Sequence, residues 1–285
     1  MLPYTYNLND DPDRKGLASH NSKVFETHFP AENIPLGLNM LDMHGGPNYR
    51  IHSYFKGAEP VDDKYGVKPV DDKHQTFNTT VHLDTWYDTT LVSAGCTWLD
   101  VPKWGSQFQF GRQNATTDLT HRGQPESIDI KFDRPHEQAP KVVVWFHSLN
   151  VTIGSSVKAY AANATTTGFT LRLDPRGSVG DIHECGVSWV AVPQNWPNTT
   201  AGSFELSYNG GHILESKANI TFDKPFERAP RVLVALNDFQ ASNSDGLQIE
   251  VKAENITEQG MTLSVKSWDN CSIRKCSVDY IAIVD

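Results

Sequence analysis

The sequence predicts an all-β chain of three tandem six-stranded antiparallel β-sandwiches, packed on one another as a pseudo-trimer. Three observations predict it: short alternating strands without helical periodicity, a repeat about every 90 residues, and closing strands that are apolar on both faces.

The strands are clearest in the middle third, where QFQFG, IDIKF, KVVVWFHSL, SVKAYAA, FTLRLD and VSWVAV follow one another. Turn residues separate them at intervals of roughly 8 to 12 positions, the spacing of a small antiparallel sandwich.

The repeat is plainest between IKFDRPHEQAPKVVV at 130–144 and ITFDKPFERAPRVLV at 220–234, identical at nine of fifteen positions. The closing strands GCTWLDVP, GVSWVAVP and SVDYIAIV then place Trp98, Trp189 and Tyr280 at intervals of 91 residues. Repeats of this length are whole domains rather than solenoid units, which gives units at 1–102, 103–193 and 194–285. The first diverges, because Pro35 lies 63 residues before Trp98, against 49 from Pro140 to Trp189 and 50 from Pro230 to Tyr280. The surplus falls in residues 56–75, KGAEPVDDKYGVKPVDDKHQ, which read as an exposed acidic loop. Its adjacent aspartates, Asp62 with Asp63 and Asp71 with Asp72, lack the alternating ligand spacing of a calcium loop, so solvation is the reading taken.

In the second closing strand Val187, Trp189 and Ala191 alternate with Val190 and Val192. One apolar face fills a sandwich core and the other needs a cover, which three tandem copies offer one another. The connecting segments VPKWGS and VPQNWPNTTAGS are short and rich in Pro and Trp, unlike flexible linkers.

Composition narrows the function. A formal net charge of -9 argues against a nucleic-acid partner, and no apolar run is long enough for membrane insertion as a helix. The start MLPYTYNLNDDPDRKG lacks the regions of a signal peptide, so the expected location is cytoplasmic, or outside the cell by leaderless secretion. The four cysteines lack zinc spacing, and no metal or cofactor is signalled. Cys271 and Cys276 flank a short turn and could pair across a hairpin; reduced thiols are the reading that matches a chain without a leader. Eight N-x-[ST] sequons would suit a secreted glycoprotein, or reflect Asn and Thr in turns and on strand surfaces.

The stretch VHLDTWYDTTLVSAGCTWLDVP at 81–102 carries the chemistry. It reads as a hairpin that gathers Trp86, Tyr87 and Asp88 at its turn. With the F-x-x-P-x-x-x-x-P-x-V opening, the G-F or G-M turn, the T-W-x-[DN]-T turn and the closing aromatic strand, the unit resembles the H-type lectin domain of snail agglutinins and of the C-terminal part of discoidins. The resemblance spans the second and third units almost end to end, and the first from Pro35 to Pro102.

That resemblance implies six-stranded sandwiches assembled in threes, with galactose or N-acetylgalactosamine bound at clefts between neighbours. It implies no enzyme activity and no cofactor; the partners are glycans, and further homo-oligomerisation is open. The family's arginine falls on Arg50, Ser156 and Gln248 in the three units, and its tryptophan on Trp86, Arg176 and Trp268. Tyr87 and Asp269 follow the two tryptophans. The tyrosine position holds Val92, His183 and Arg274, and the first-loop acid falls on Asp10, Arg112 and Asn209. The resemblance thus nominates Arg50, Trp86, Tyr87 and Asp10 in the first unit, Trp268, Asp269, Arg274 and Asn209 in the third, and an altered site in the second. An indole stacks on the apolar C–H face of a pyranose while charged groups fix its hydroxyls, which is why these residue types belong together.

Two other readings stay open on the residues alone. The repeats could be a self-associating scaffold with degenerate sugar sites. Alternatively, His183-Glu184-Cys185 could be a metal or nucleophile site, or Asp42 with His44 a general-base pair, although neither cluster has an identifiable partner elsewhere.

Overall fold

Each unit contributes six strands. A computed structural model describes residues 2–7, 16–30, 34–44, 46–60, 76–101, 107–115, 125–175, 182–207, 215–241, 246–269, 271 and 273–284. The first unit holds β1 (Leu2–Asn7), β2 (His20–Thr27), β3 (Leu36–His44), β4 (Asn48–Pro60), β5 (Phe77–Asp84) and β6 (Thr90–Asp100). The second holds β7 (Gln109–Ala115), β8 (Glu126–Lys131), β9 (Lys141–Thr152), β10 (Ser156–Ala162), β11 (Gly168–Pro175) and β12 (Ile182–Val192). The third holds β13 (Thr199–Ser207), β14 (Glu215–Thr221), β15 (Arg231–Ala241), β16 (Gly246–Glu254), β17 (Gly260–Lys266) and β18 (Ile273–Ile283). No helix occurs among the described residues.

Within a unit the strands form two half-sheets, in the first unit β1-β6-β3 and β2-β5-β4. The half-sheets do not end at the unit boundary. The strand orders β1-β6-β3-β16-β17-β14, β2-β5-β4-β9-β12-β7 and β13-β18-β15-β10-β11-β8 make three six-stranded antiparallel sheets, each shared by two units. The junctions are β3 with β16, β4 with β9 and β10 with β15. Every unit therefore contributes its third strand to one neighbour and its fourth to the other. Sheet edges that an isolated unit would leave open are closed by its neighbours.

The two faces of the closing strands find the two covers they require. Val187, Trp189 and Ala191 belong to the sandwich core, whereas Val190 and Val192 join a second cluster with Leu99, Val101, Val143, Trp145, Leu233, Ala235, Ile281 and Ile283. This second cluster draws on all three units and forms the axial core of the bundle. Register fixes its centre: Leu36, Val144 and Val234 oppose Trp98, Trp189 and Tyr280, so the following residues Gly37, Trp145 and Ala235 are equivalent. A Cβ at Gly37 would lie 2.6 Å from the Cβ atoms of both Trp145 and Ala235. An indole fits on the axis in one unit because the other two supply only a methyl group and a hydrogen.

One expectation changes. The strand β4 continues to Pro60, past the expected start of the acidic loop at 56; a bulge between Lys56 and Glu59, with Gly57 at φ 72, lets it do so. The candidate calcium ligands at 62, 63, 71 and 72 lie outside the described residues. Cys271 and Cys276 are both buried, on the core side of the third unit. Three sequon asparagines, Asn163, Asn198 and Asn255, sit at φ 52, 58 and 48, turn geometry that Asn tolerates better than other side chains.

Candidate functional site

The residues 81–102 are not a hairpin. Strands β5 and β6 belong to different half-sheets, and the segment Thr85–Thr89 carries the chain across from one layer to the other. Two hydroxyls fasten it to β4: Thr85 Oγ1 donates to the Arg50 carbonyl at 2.7 Å and Thr89 Oγ1 to the Asn48 carbonyl at 2.8 Å. Tyr87, at φ 56, makes the turn that the crossing requires. The consequence is that the crossing sits directly over Arg50.

Arg50 is buried, yet its charge is matched. Its Nη1 forms an ion pair with Asp88, and the Tyr87 ring lies 5.2 Å from the guanidinium carbon. The Asn48 amide, with its nitrogen turned to the Pro47 carbonyl and the Thr152 hydroxyl, brings its oxygen to 2.8 Å from Arg50 Nη2. Gly46, at φ 63, lets Asp88 approach, since a Cβ there would lie within 2.3 Å of the carboxylate carbon. Trp86 is half-buried and Tyr87 is 90% exposed. Arg50 pairs with Asp88 of its own crossing; the aspartates of the acidic loop lie outside the described residues.

The equivalent crossing of the third unit repeats the backbone but not the charges. Asp269 sits at φ 55, matching Tyr87, and places Trp268 where the first unit has Trp86. Here the indole Nε1 donates to Asp42 Oδ2 at 3.0 Å, and Asp42 is fully buried on β3 of the first unit. Gln248 stands opposite Asp42 in the strand pair, as Arg50 stands opposite Asn150 and Ser156 opposite Gln240. All three arginine-position residues therefore lie on junctions between units.

Other nominated residues divide. Val92, His183 and Arg274 each occupy the same bulge at the start of a closing strand. Val92 is fully buried and unable to reach a ligand, whereas His183 and Arg274 are exposed. In the second unit Ser156 is buried and donates to the Phe239 carbonyl at 2.8 Å. Arg112 lies on β7 and donates to the Ile34 carbonyl of the first unit at 2.9 Å, which makes it an inter-unit tie. Asp10, Arg176 and Asn209 lie outside the described residues.

The enzyme candidates do not assemble. Cys185 is fully buried and its thiol is pushed far up by burial, whereas His183 faces solvent. Asp42 is engaged by Trp268. Among the described residues no group of three or more His, Cys, Asp or Glu side chains is placed to hold a metal ion.

Comparison with known proteins agrees with this architecture. The H-type lectin domain matches the chain twice, over residues 127–192 and 217–283, inside the second and third units. These two units are H-type lectin domains. Two of the chain's three units thus belong to a family of lectin domains, and the first unit shares their strand order and closing-strand register. A protein of Fuscovulum blasticum described as ORF 7 of the ATP synthase subunits region is 32% identical over 76 residues, 27% of this chain. The match spans 66% of that protein's own length. Two solved structures of discoidin II from Dictyostelium discoideum, one recombinant and one wild type, are 12% identical, with 99% of this chain and 94% of theirs covered. Their TM-score of 0.27 is too low to add to the H-type lectin assignment.

Proposed function

We propose that the chain binds terminal galactose or N-acetylgalactosamine without transforming it, principally at the junction of β4 with β9. The observation that carries this reading is the arrangement of Arg50, Asp88 and Tyr87 beside Trp86 at an inter-unit strand pair. Asp88 and Tyr87 hold the guanidinium in place before any ligand arrives, so little side-chain freedom is lost on binding. Arginine carries five N–H donors, and those left over from Asp88 and Asn48 suit an axial or equatorial sugar hydroxyl. Trp86 and the exposed Tyr87 offer aromatic surface for the C–H face of the ring.

The junction of β16 with β3 is the second site. It reverses the electrostatics, because its charge is the Asp42 carboxylate of the neighbouring unit and its polar partner is the neutral Gln248. Among the described residues of the second unit, Ser156 is turned to backbone and offers no charged group at the corresponding position.

Each site is small, and dissociation constants on the order of 0.1 to 1 mM follow, or about -4 to -5.5 kcal/mol. Useful avidity comes from two sites on one chain or from further association of chains. A glycan array probed with the intact chain, alongside a glycosidase assay on the same preparation, tests the reading. Galacto-configured hits without hydrolysis support it. Assembly into larger species with no glycan bound would instead favour the scaffold reading.

A further inference from the structure

A sizeable cleft lies away from Trp86. It lies between the second and third units, at the other end of β9, with a volume of about 740 Å³. Lys141 opens β9 and lines this cleft, whereas Asn150, nine residues on, faces Arg50; the two ends are roughly 30 Å apart at strand rise. Nothing in the galactose reading uses this cleft.

Its floor is the segment joining the two units. The Trp196 amide donates to the Pro193 carbonyl at 3.2 Å, which folds the segment into a tight turn. Buried Phe108 meets the Trp196 ring edge-on at 5.9 Å and 73°, fixing the plane of an indole that remains half-exposed. Around it stand Lys141, Lys224, Asp223, Asn195 and Thr199. Among the described residues none of the three charged side chains has an ion-pair partner. A propped aromatic plane and unpaired charges converge on one space large enough for a small ligand.

We propose that this cleft is a second saccharide site, selective for an acidic pyranoside such as a uronate or a sialate. The sugar's C–H face lies on Trp196. Its carboxylate takes charge-assisted hydrogen bonds from Lys141 and Lys224, and its hydroxyls donate to Asp223. Two ammonium groups against one carboxylate give the cleft the opposite sign to the chain as a whole, whose formal charge is -9. An acidic ligand is therefore drawn to this place rather than to the surface at large.

The test is a titration of the isotope-labelled chain with glucuronic acid, N-acetylneuraminic acid and methyl galactoside, followed through the Trp196 indole resonance. The acids should saturate in the millimolar range, more weakly as salt is raised. Lys224→Gln should reduce affinity about fivefold or more, and Trp86→Ala should leave it unchanged. Lys224 is exposed, so its variant keeps the fold even where Trp196→Ala loses packing on Phe108. No response of Trp196 to either acid at about 10 mM would overturn the proposal. So would equal binding of methyl galactoside there, acid binding that Lys224→Gln leaves intact, or acid binding abolished by Trp86→Ala.

Discussion

Trp268 Nε1 donates a 3.0 Å hydrogen bond to Asp42 Oδ2, joining the crossing of the third unit to β3 of the first across 226 residues of sequence. Its counterpart between the first and second units sets Arg50 opposite Asn150. One junction thus places its charge on the fourth strand and the other on the third. The sites are variants of one geometry with the sign of the charge reversed.

Asp42→Ala should therefore damage the third-unit site and spare the first. The half-buried indole N–H loses its acceptor, at a cost of about 1 kcal/mol. The Trp268 indole resonance should shift while that of Trp86 stays in place, and the melting temperature should fall by several degrees. A variant with unchanged melting and an unchanged Trp268 resonance would show that the inter-unit bond is absent in solution.

Gly37→Ala tests the axial core. The added methyl meets the Cβ atoms of Trp145 and Ala235 at 2.6 Å, where no flexible side-chain end can move aside. Overpacking of this kind costs roughly 1 to 3 kcal/mol. Thermal melts should show the loss, and pairing the substitution with Ala235→Gly, which removes one of the two Cβ atoms it meets, should recover part of it. Wild-type stability in Gly37→Ala alone would mean that the three units do not meet on this axis.

The bundle was partly legible in sequence, and for a definite reason. Val190 and Val192 announced a second apolar surface because alternation assigns each residue to a face. The pairing of β3 with β16, β4 with β9 and β10 with β15 was not legible, since a strand edge carries backbone groups that every sequence shares. Arg50 and Trp86 could be nominated from the family pattern. Asp42 could not be joined to Trp268, because only the junction of two sheets brings positions so far apart together. The crossing at Trp86 resembled a hairpin turn, as its polar residues satisfy either geometry; the choice between layers is made by the strands around it.

Acid should weaken the fold through His147. Its side chain is buried on β9 near His52 and Arg112, with both ring nitrogens lacking hydrogen-bond partners among the described residues. Burial, reinforced by the charge of Arg112 and then of His52, pushes its pKa down to about 3. The folded state therefore favours the neutral ring. The stability this gives is fully present above the unfolded value of 6.5 and is lost as pH falls from there toward 3. At pH 5 the loss attributable to this residue is about 2 kcal/mol. Asn39 and Asn237 occupy the equivalent bulges, so His147→Asn should fold and should flatten the pH dependence of melting between pH 7 and 5. An unchanged pH profile in that variant would place the acid sensitivity elsewhere.

The central claim is that galactosides bind where Arg50, Asp88, Tyr87 and Trp86 meet, and it is tested most directly by titrating one galactoside into matched variants. Methyl N-acetylgalactosaminide would be followed by nuclear magnetic resonance in the wild type, Trp86→Ala and Trp268→Ala, each first shown to melt in a single cooperative transition. Loss of the Trp86 ring removes a stacking contribution of roughly 0.5 to 1.5 kcal/mol plus the area it covers, so affinity should fall about tenfold or more. Trp268→Ala should cost less, because Gln248 supplies no charge to act with the indole. Normal binding by Trp86→Ala together with lost binding by Trp268→Ala would contradict the account and assign the function to the third unit.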